Sequence, residues 1–229
     1  MSIQLTWLGH SGFQITIGKY KVLIDPFLTG NPLATVTPEQ LEADFIILSH
    51  GHGDHVGDTA SIANRTGATV IANFEIGSWL QQKHGVQNVH TLNTGGGVKL
   101  PFGRVELTLA YHSSSLPDGS YGGMPNGILL LTDEGKTLYH AGDTSVFLDM
   151  QLIGERGLDL AMLPIGDYFT MGPEMSLRAI ALLKPKAVIP MHYNTFDPIA
   201  QDVVGWAGRV QNETDARPVV LDPGGTFQL

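Results

Sequence analysis

Six consecutive residues, His50-Gly51-His52-Gly53-Asp54-His55, place three imidazoles and a carboxylate in one short stretch. Imidazole nitrogens and a carboxylate form a borderline-soft ligand set suited to Zn²⁺, Mn²⁺, Fe or Ni²⁺. His50 and His52 are two apart, so in extended backbone both rings face the same side. Gly51 and Gly53 carry no Cβ and are expected to let the chain fold tightly round whatever the rings hold. Asp54 and His55 come where the chain turns toward a helix, and so approach the same centre from another direction. The competing reading is a polar turn with solvated histidines. Chance seldom places four metal-capable groups directly behind a strand.

That strand is Asp44-Phe45-Ile46-Ile47-Leu48-Ser49, an apolar, β-branched run that reads as buried. The six residues thus sit past the carboxyl end of a strand, where open α/β sheets place their chemistry. The pattern predicts further strands at 3–8, 13–17, 21–24, 68–72, 89–92, 97–100, 104–111, 127–132, 137–140, 158–163, 186–190 and 217–221. Asp58 is the expected N-cap of a helix to about Thr66, and Gly85 stops a helix over 74–84. Helices are also expected over 145–156, over 173–183 with Pro173 in its first turn, and over 198–210. Residues 113–126 are a polar Ser/Gly/Pro stretch of the kind that covers sites. The whole, residues 1–229, reads as a single domain of two comparable halves, about 1–112 and 113–229. Strands grouped with helices between them suggest an α/β fold of two sheets packed face to face with helices outside, a four-layer αββα sandwich. On strand grouping alone, a three-layer α/β fold is equally compatible.

Composition narrows the chemistry. The chain has no cysteine, which excludes disulfides, thiolate metal sites and cysteine nucleophiles. The net charge of -9, with only 13 Lys and Arg scattered along the chain, provides no basic footprint for nucleic acid. The longest apolar runs are strand-sized, so no membrane-spanning helix is expected. Met1 to Trp7 lacks a basic and an apolar leader region, reads as a first strand, and leads to an expectation of a cytoplasmic protein.

Other expected strands also end in a His or an Asp: His112, Asp143 in Ala141-Gly142-Asp143-Thr144, His192 in Met191-His192-Tyr193, and Asp167. With His50-x-His52-x-Asp54-His55, the first three make the chain resemble the metallo-β-lactamase superfamily, in order and over nearly its whole length. Trp7-Leu8-Gly9-His10-Ser11-Gly12 and Asp25-Pro26-Phe27 resemble a branch of largely uncharacterised metal-dependent hydrolases near the L-ascorbate-6-phosphate lactonases.

The resemblance implies the four-layer fold and two divalent metal ions, zinc foremost, with Mn, Fe or Ni as other candidates. His50, His52 and His112 would hold one ion, Asp54, His55 and His192 the other, and Asp143 would bridge them. Each ion would keep an open position, the mark of a catalytic site. The ions would stand roughly 3.5–4 Å apart and share a water whose pKa falls toward about 7. The implied activity is hydrolysis by bridging hydroxide of a small ester, lactone or phosphoester, with Asp54 orienting the water and passing on its proton.

Three further residues are candidates for contact with substrate or support of the ligands. His10 lies in a glycine-bounded turn, where it lines the pocket or hydrogen-bonds a ligand, or serves as a structural turn residue. Asp167 precedes a helix and contacts substrate or caps backbone amides. Asp25 is expected to fix a loop or support a ligand rather than bind metal. His84, His90 and His140 are not expected to be ligands. Residues 111–126 and 164–176 contain no Lys or Arg, so a phosphorylated substrate would lack its usual guanidinium clamp. Tyr111, Tyr121, Met124, Tyr168, Phe169 and Met171 offer an aromatic and apolar lining, or else belong to core or interface. The expected partner is a small-molecule substrate, with no nucleic acid and no membrane, and the resemblance implies a homo-oligomer. Alternatives are a nuclease acting on phosphodiesters, a di-iron redox protein and a catalytically silent binding module. The acidic balance argues against the first, the lack of room for an electron-donor domain against the second, and the full ligand set against the third.

Overall fold

A computed structural model describes residues 3–229. Met1 and Ser2, the start of the segment read against a leader, lie outside the described residues. The chain begins with β1 (Ile3–Gly9), β2 (Gly12–Ile17), β3 (Tyr20–Ile24) and β4 (Phe45–Ile47). Helices α1 (Gly53–Val56) and α2 (Thr59–Thr66), strand β5 (Thr69–Asn73), helix α3 (Phe74–His84) and strand β6 (Val89–Leu92) follow. Then come β7 (Gly97–Leu100), β8 (Gly103–Leu109), β9 (Asn126–Thr132), β10 (Thr137–His140), α4 (Met150–Gly154) and β11 (Leu160–Pro164). The last elements are α5 (Pro173–Leu183), β12 (Ala187–Met191), α6 (Val203–Glu213), β13 (Arg217–Pro218) and β14 (Thr226–Gln228).

Among the described residues the strands form two seven-stranded sheets, ordered β14-β1-β2-β3-β4-β5-β6 and β13-β12-β11-β10-β9-β8-β7. In the first, β14 through β3 pair antiparallel and β3 through β6 parallel. The second mirrors it, antiparallel from β7 to β10 and parallel from β10 to β13. The sheets do not divide the chain at 112/113. The β7–β8 hairpin already belongs to the second sheet, and β14 returns to the first.

Period-two patterning explains the layers. Ile3, Leu5 and Trp7 of β1 and Val22 and Ile24 of β3 face inward, in one core with Val105, Leu107, Ile128 and Leu130 of the second sheet. Leu23, Ile46, Val70 and Ala72 face outward, onto Ile62 of α2 and Ile76 and Leu80 of α3. Leu177, Ile180 and Leu183 of α5 and Trp206 and Val210 of α6 cover the outer side of the second sheet. The architecture is the four-layer αββα sandwich.

Several local expectations change in the structure. The helix expected over 145–156 shrinks to α4, because Ser145 N–H donates to Tyr111 O at 3.2 Å and Thr144 O accepts from Met171 N at 2.9 Å. The helix expected over 198–210 starts at Val203, where the Asp202 carboxylate accepts from Gly205 N at 2.9 Å; Pro198 instead lies in a single 3₁₀ turn, Asp197–Ile199. The strand expected over 217–221 is only two residues long, and β14 was not anticipated. Asp58 precedes α2 without capping it through its side chain. Its carboxylate accepts from Leu28 N at 2.8 Å, Thr29 N at 2.9 Å and Thr29 Oγ1 at 2.6 Å, tying down the loop after β3.

Candidate metal centre

Four of the expected ligands leave strand ends on the same edge of the sandwich. His50 follows β4, His112 follows β8, Asp143 follows β10, and His192 follows β12 directly. Asp54 and His55 lie on α1, whose short turn brings them back over His50. The sheets are laced at this edge by backbone bonds, Asn126 N to Ser49 O at 3.0 Å and His192 N to His10 O at 3.0 Å. Gly142 makes the bend before Asp143, with φ at +62°; a Cβ there would stand 2.5 Å from Asn126 O. Gly51 and Gly53 play different parts from those expected. A Cβ on Gly51 would meet the 113–126 loop, at 3.2 Å from Ser114 Oγ, while Gly53 faces open space.

Among the described residues, potential ligand atoms converge in three overlapping groups: His50, His52 and His112; His50, His55 and Asp143; and His10, Asp54, His55 and His192. Within each group the atoms lie within 4.8 Å of one another. Asp143 stands between the groups. Its Oδ1 is 3.3 Å from His55 Nε2, and its Oδ2 is 3.0 Å from His192 Nε2 and 3.5 Å from His112 Nε2. His50 Nε2 and His52 Nδ1 are 2.9 Å apart. His10 joins the group expected for Asp54, His55 and His192.

The supporting hydrogen bonds fix which nitrogens are free. Ser49 Oγ donates to Asp25 Oδ2 at 2.5 Å, so it accepts from His50 Nδ1 at 3.0 Å and leaves His50 Nε2 without a proton, its lone pair toward His52 Nδ1. Asp25 Oδ2 also accepts from His55 Nδ1 at 2.8 Å, which leaves His55 Nε2 bare in turn. His55 Nε2 and Asp143 Oδ1 are buried with no hydrogen-bond partner, although each faces the other. Two acceptors at this separation need a positive charge between them, either a metal ion or a second proton on His55. The His/Asp donor set fits a divalent ion.

Without an ion, the imidazoles and carboxylates supply their own countercharge. Burial works against a charged His55, but the charge of Asp143, whose Oδ1 lies 3.3 Å away, and the hydrogen bond to Asp25 lift its pKa well above 6.5. Burial likewise works against ionised Asp143, and His192 and His55 outweigh it, holding the carboxyl well below its usual range. Burial, aided by the neighbouring His55, keeps His50 well below 6.5, and His52 and His112 are lowered chiefly by burial. Burial pulls His10 down to about 4, reinforced by His192. Burial pushes Asp54 up, but its hydrogen bond to His10 and the charge of His55 prevail and leave the carboxyl below the usual range.

The second-tier residues separate clearly. Asp25 is buried and braces His55 and Ser49. His10 is buried, 3.2 Å from Asp54 Oδ2 through Nε2. Asp167 is exposed and belongs to none of the convergent groups. His10, Asp25 and His192 all take left-handed backbone, at φ +54°, +43° and +54°, a strain that clusters at functional sites. His140 is buried and structural, its Nε2 against Ser11 O at 2.9 Å; His84 packs on Trp79, and His90 lies exposed on β6.

A cavity of about 280 Å³ opens onto the centre, lined by His52, Asp54, His112, Ser113, Asp143, Phe169 and His192. Of the six residues considered as an apolar lining, Phe169 is in this wall and Met171 is buried in the core. Sequence reasoning missed Ser49, Ser113 and Thr195. Ser49 and Thr195 lie one and three residues from a histidine of the centre, and Ser113 directly follows another, which was the available signal.

A family model described as a beta-lactamase superfamily domain matches residues 4–192. A metal-dependent hydrolase of Thermus thermophilus is 48% identical over 227 residues, covering 99% of both chains. One of Shouchella clausii is 48% identical over 233 residues, covering 99% of this chain and 100% of that protein. Among solved structures, a metallo hydrolase from the hyperthermophilic archaeon Ignicoccus hospitalis superposes with a TM-score of 0.91 at 39% identity, covering 100% of this chain and 99% of that one.

Proposed function

Because the chain belongs to the beta-lactamase superfamily and is a metal-dependent hydrolase, we propose that it works with two divalent ions, zinc foremost, on a small ester, lactone or phosphoester. His50, His52 and His112 would hold one ion and Asp54, His55 and His192 the other, with Asp143 shared. The observation that carries this reading is the facing pair of bare acceptors, His55 Nε2 and Asp143 Oδ1, buried 3.3 Å apart. Bound there, two ions would lower the pKa of a shared water toward about 7, supplying the nucleophile, and polarise the substrate oxygen.

The chain's own residues do the rest. Asp25 and Ser49 hold the rings of His55 and His50 with the correct nitrogen inward. Asp54, on the cavity wall with its side chain one-third exposed, is placed to orient the water and pass its proton to the leaving group. Phe169 gives one apolar wall, and no Lys or Arg lines the cavity. That lining and a volume of about 280 Å³ favour a small substrate without a phosphate handle.

The net charge of -9 weighs against nucleic acid as substrate. Among the described residues no helix is long and apolar enough to cross a membrane. We place the protein in the cytoplasm as a homo-oligomer, to be tested by fractionation and by mass in solution. The activity test is a metal analysis followed by a screen of esters, lactones and phosphodiesters. Turnover abolished by chelation and restored by zinc supports the reading. Turnover confined to RNA or DNA, or oxygen consumption with iron, would replace it.

A further inference from the structure

His10 is held from three directions. Its carbonyl accepts from Trp7 Nε1 at 3.0 Å and from His192 N at 3.0 Å, which locks its left-handed turn against the turn that carries His192. Its ring lies between two side chains, with Nδ1 2.9 Å from Thr195 Oγ1 and Nε2 3.2 Å from Asp54 Oδ2. Thr195 is buried, so its hydroxyl proton has few destinations. The two within reach are His10 Nδ1 at 2.9 Å and Tyr193 O at 3.4 Å. The shorter bond is near the optimum for a hydroxyl donor and the longer one is marginal. A Thr195 proton directed to Nδ1 makes that nitrogen an acceptor. The ring proton must then sit on Nε2, where it donates to Asp54 Oδ2.

We infer that Thr195 sets the tautomer of His10, and that His10 is thereby a positioning residue holding the Asp54 carboxylate at the metal centre. This rests on the proposed centre and adds to it a buried hydrogen-bond chain, Thr195 to His10 to Asp54, that crosses between the halves. Its effect is mechanical. Asp54 lies on a four-residue helix, with its side chain one-third exposed, and among the described residues no other hydrogen bond fixes its rotation. A carboxylate tethered through one oxygen presents the other in a defined direction, which is what a ligand with few neighbours requires. The competing arrangement makes His10 Nε2 a fourth ligand beside Asp54, His55 and His192. That would put the ring proton on Nδ1 and force the Thr195 hydroxyl to turn to Tyr193 O.

The two arrangements differ in the position of one proton. Long-range proton–nitrogen correlation spectra of the zinc-loaded, histidine-labelled protein should show His10 as the Nε2–H tautomer. An Nδ1–H tautomer, with Nε2 shifted as a zinc ligand, overturns the inference. Competition with a chromophoric chelator adds a second readout. Thr195→Val should weaken zinc binding at one of two sites by about 10–100-fold. Thr195→Ser, which keeps the hydroxyl, should restore the lost affinity. If wild type binds two zinc ions and Thr195→Val binds them equally well, the chain of hydrogen bonds has no such role. A wild type that binds no zinc overturns the metal centre itself, and the inference with it.

Discussion

Asp25 and His55 are both fully buried and meet at 2.8 Å, Oδ2 to Nδ1, beneath the convergent histidines. The pair fixes the one nitrogen of His55 that faces Asp143. Asp25→Asn replaces the acceptor with an amide that can present N–H instead, and so releases the tautomer. Competitive zinc titration should show affinity reduced by about 10–100-fold. Asp25→Ala should also cost about 3–5 kcal/mol of stability, since it strands a buried partner. Unchanged zinc affinity in Asp25→Asn would remove the carboxylate from its supporting role.

The metal-free protein should have a two-sided pH dependence. His55 has a folded pKa above 6.5, so its contribution is complete below 6.5 and is lost as pH rises through the folded value. His10, His50, His52, His112 and His140 have folded values below 6.5. Their cost appears as pH falls below 6.5, when the unfolded chain takes up protons that the folded chain refuses. Thermal melts in chelator between about pH 5 and 9 should therefore peak near 6.5 and fall on both sides. With zinc bound the alkaline fall should vanish, because His55 no longer carries the second proton. A metal-free protein whose midpoint keeps rising above pH 7 would contradict this account.

Asp54→Asn keeps the shape of the side chain and removes its charge. Turnover of any ester or lactone substrate found by screening should fall by about 10²–10⁴-fold, in the range general acid–base groups contribute. The partly exposed position predicts a melting temperature close to that of wild type. Retention of more than a tenth of the activity would show that Asp54 passes no proton.

Phe169 is 55% exposed and lines the cavity. Phe169→Ala should leave stability within about 0.5 kcal/mol. Its effect should fall on substrate affinity, raising KM about tenfold for apolar substrates, the equivalent of part of a buried ring. Equal KM values for apolar and polar substrates in both proteins would place the binding surface elsewhere.

Much of the centre was legible because its signals are local. The His-x-His-x-Asp-His spacing needs only a strand before it and a turn after it. The end of helix α3 was readable from Gly85, which takes φ +68°, while its start is set by Asn73 Oδ1, which accepts from Ile76 N at 2.9 Å. What escaped depends on contacts distant in sequence. Thr195 matters only because it meets His10, 185 positions away. Asp58 looked like a cap because nothing local announces that Leu28 and Thr29 will claim its carboxylate. The stretch before α4 has helical composition, but its backbone is tied to Tyr111 and Met171 and cannot coil. Gly53 shows the limit of reading glycine from type alone, since no neighbour crowds it.

β14 lies antiparallel against β1, with Leu5 opposite Phe227. Synthesis passes from β1 through the other strands of both sheets before it reaches β14, so the outer border of β1 waits through that whole interval without a mate. An uncovered strand border of that kind is a template for stray pairing. Nascent chains should therefore be most vulnerable to mispairing before β14 emerges, even though every residue of the metal centre precedes it in the chain.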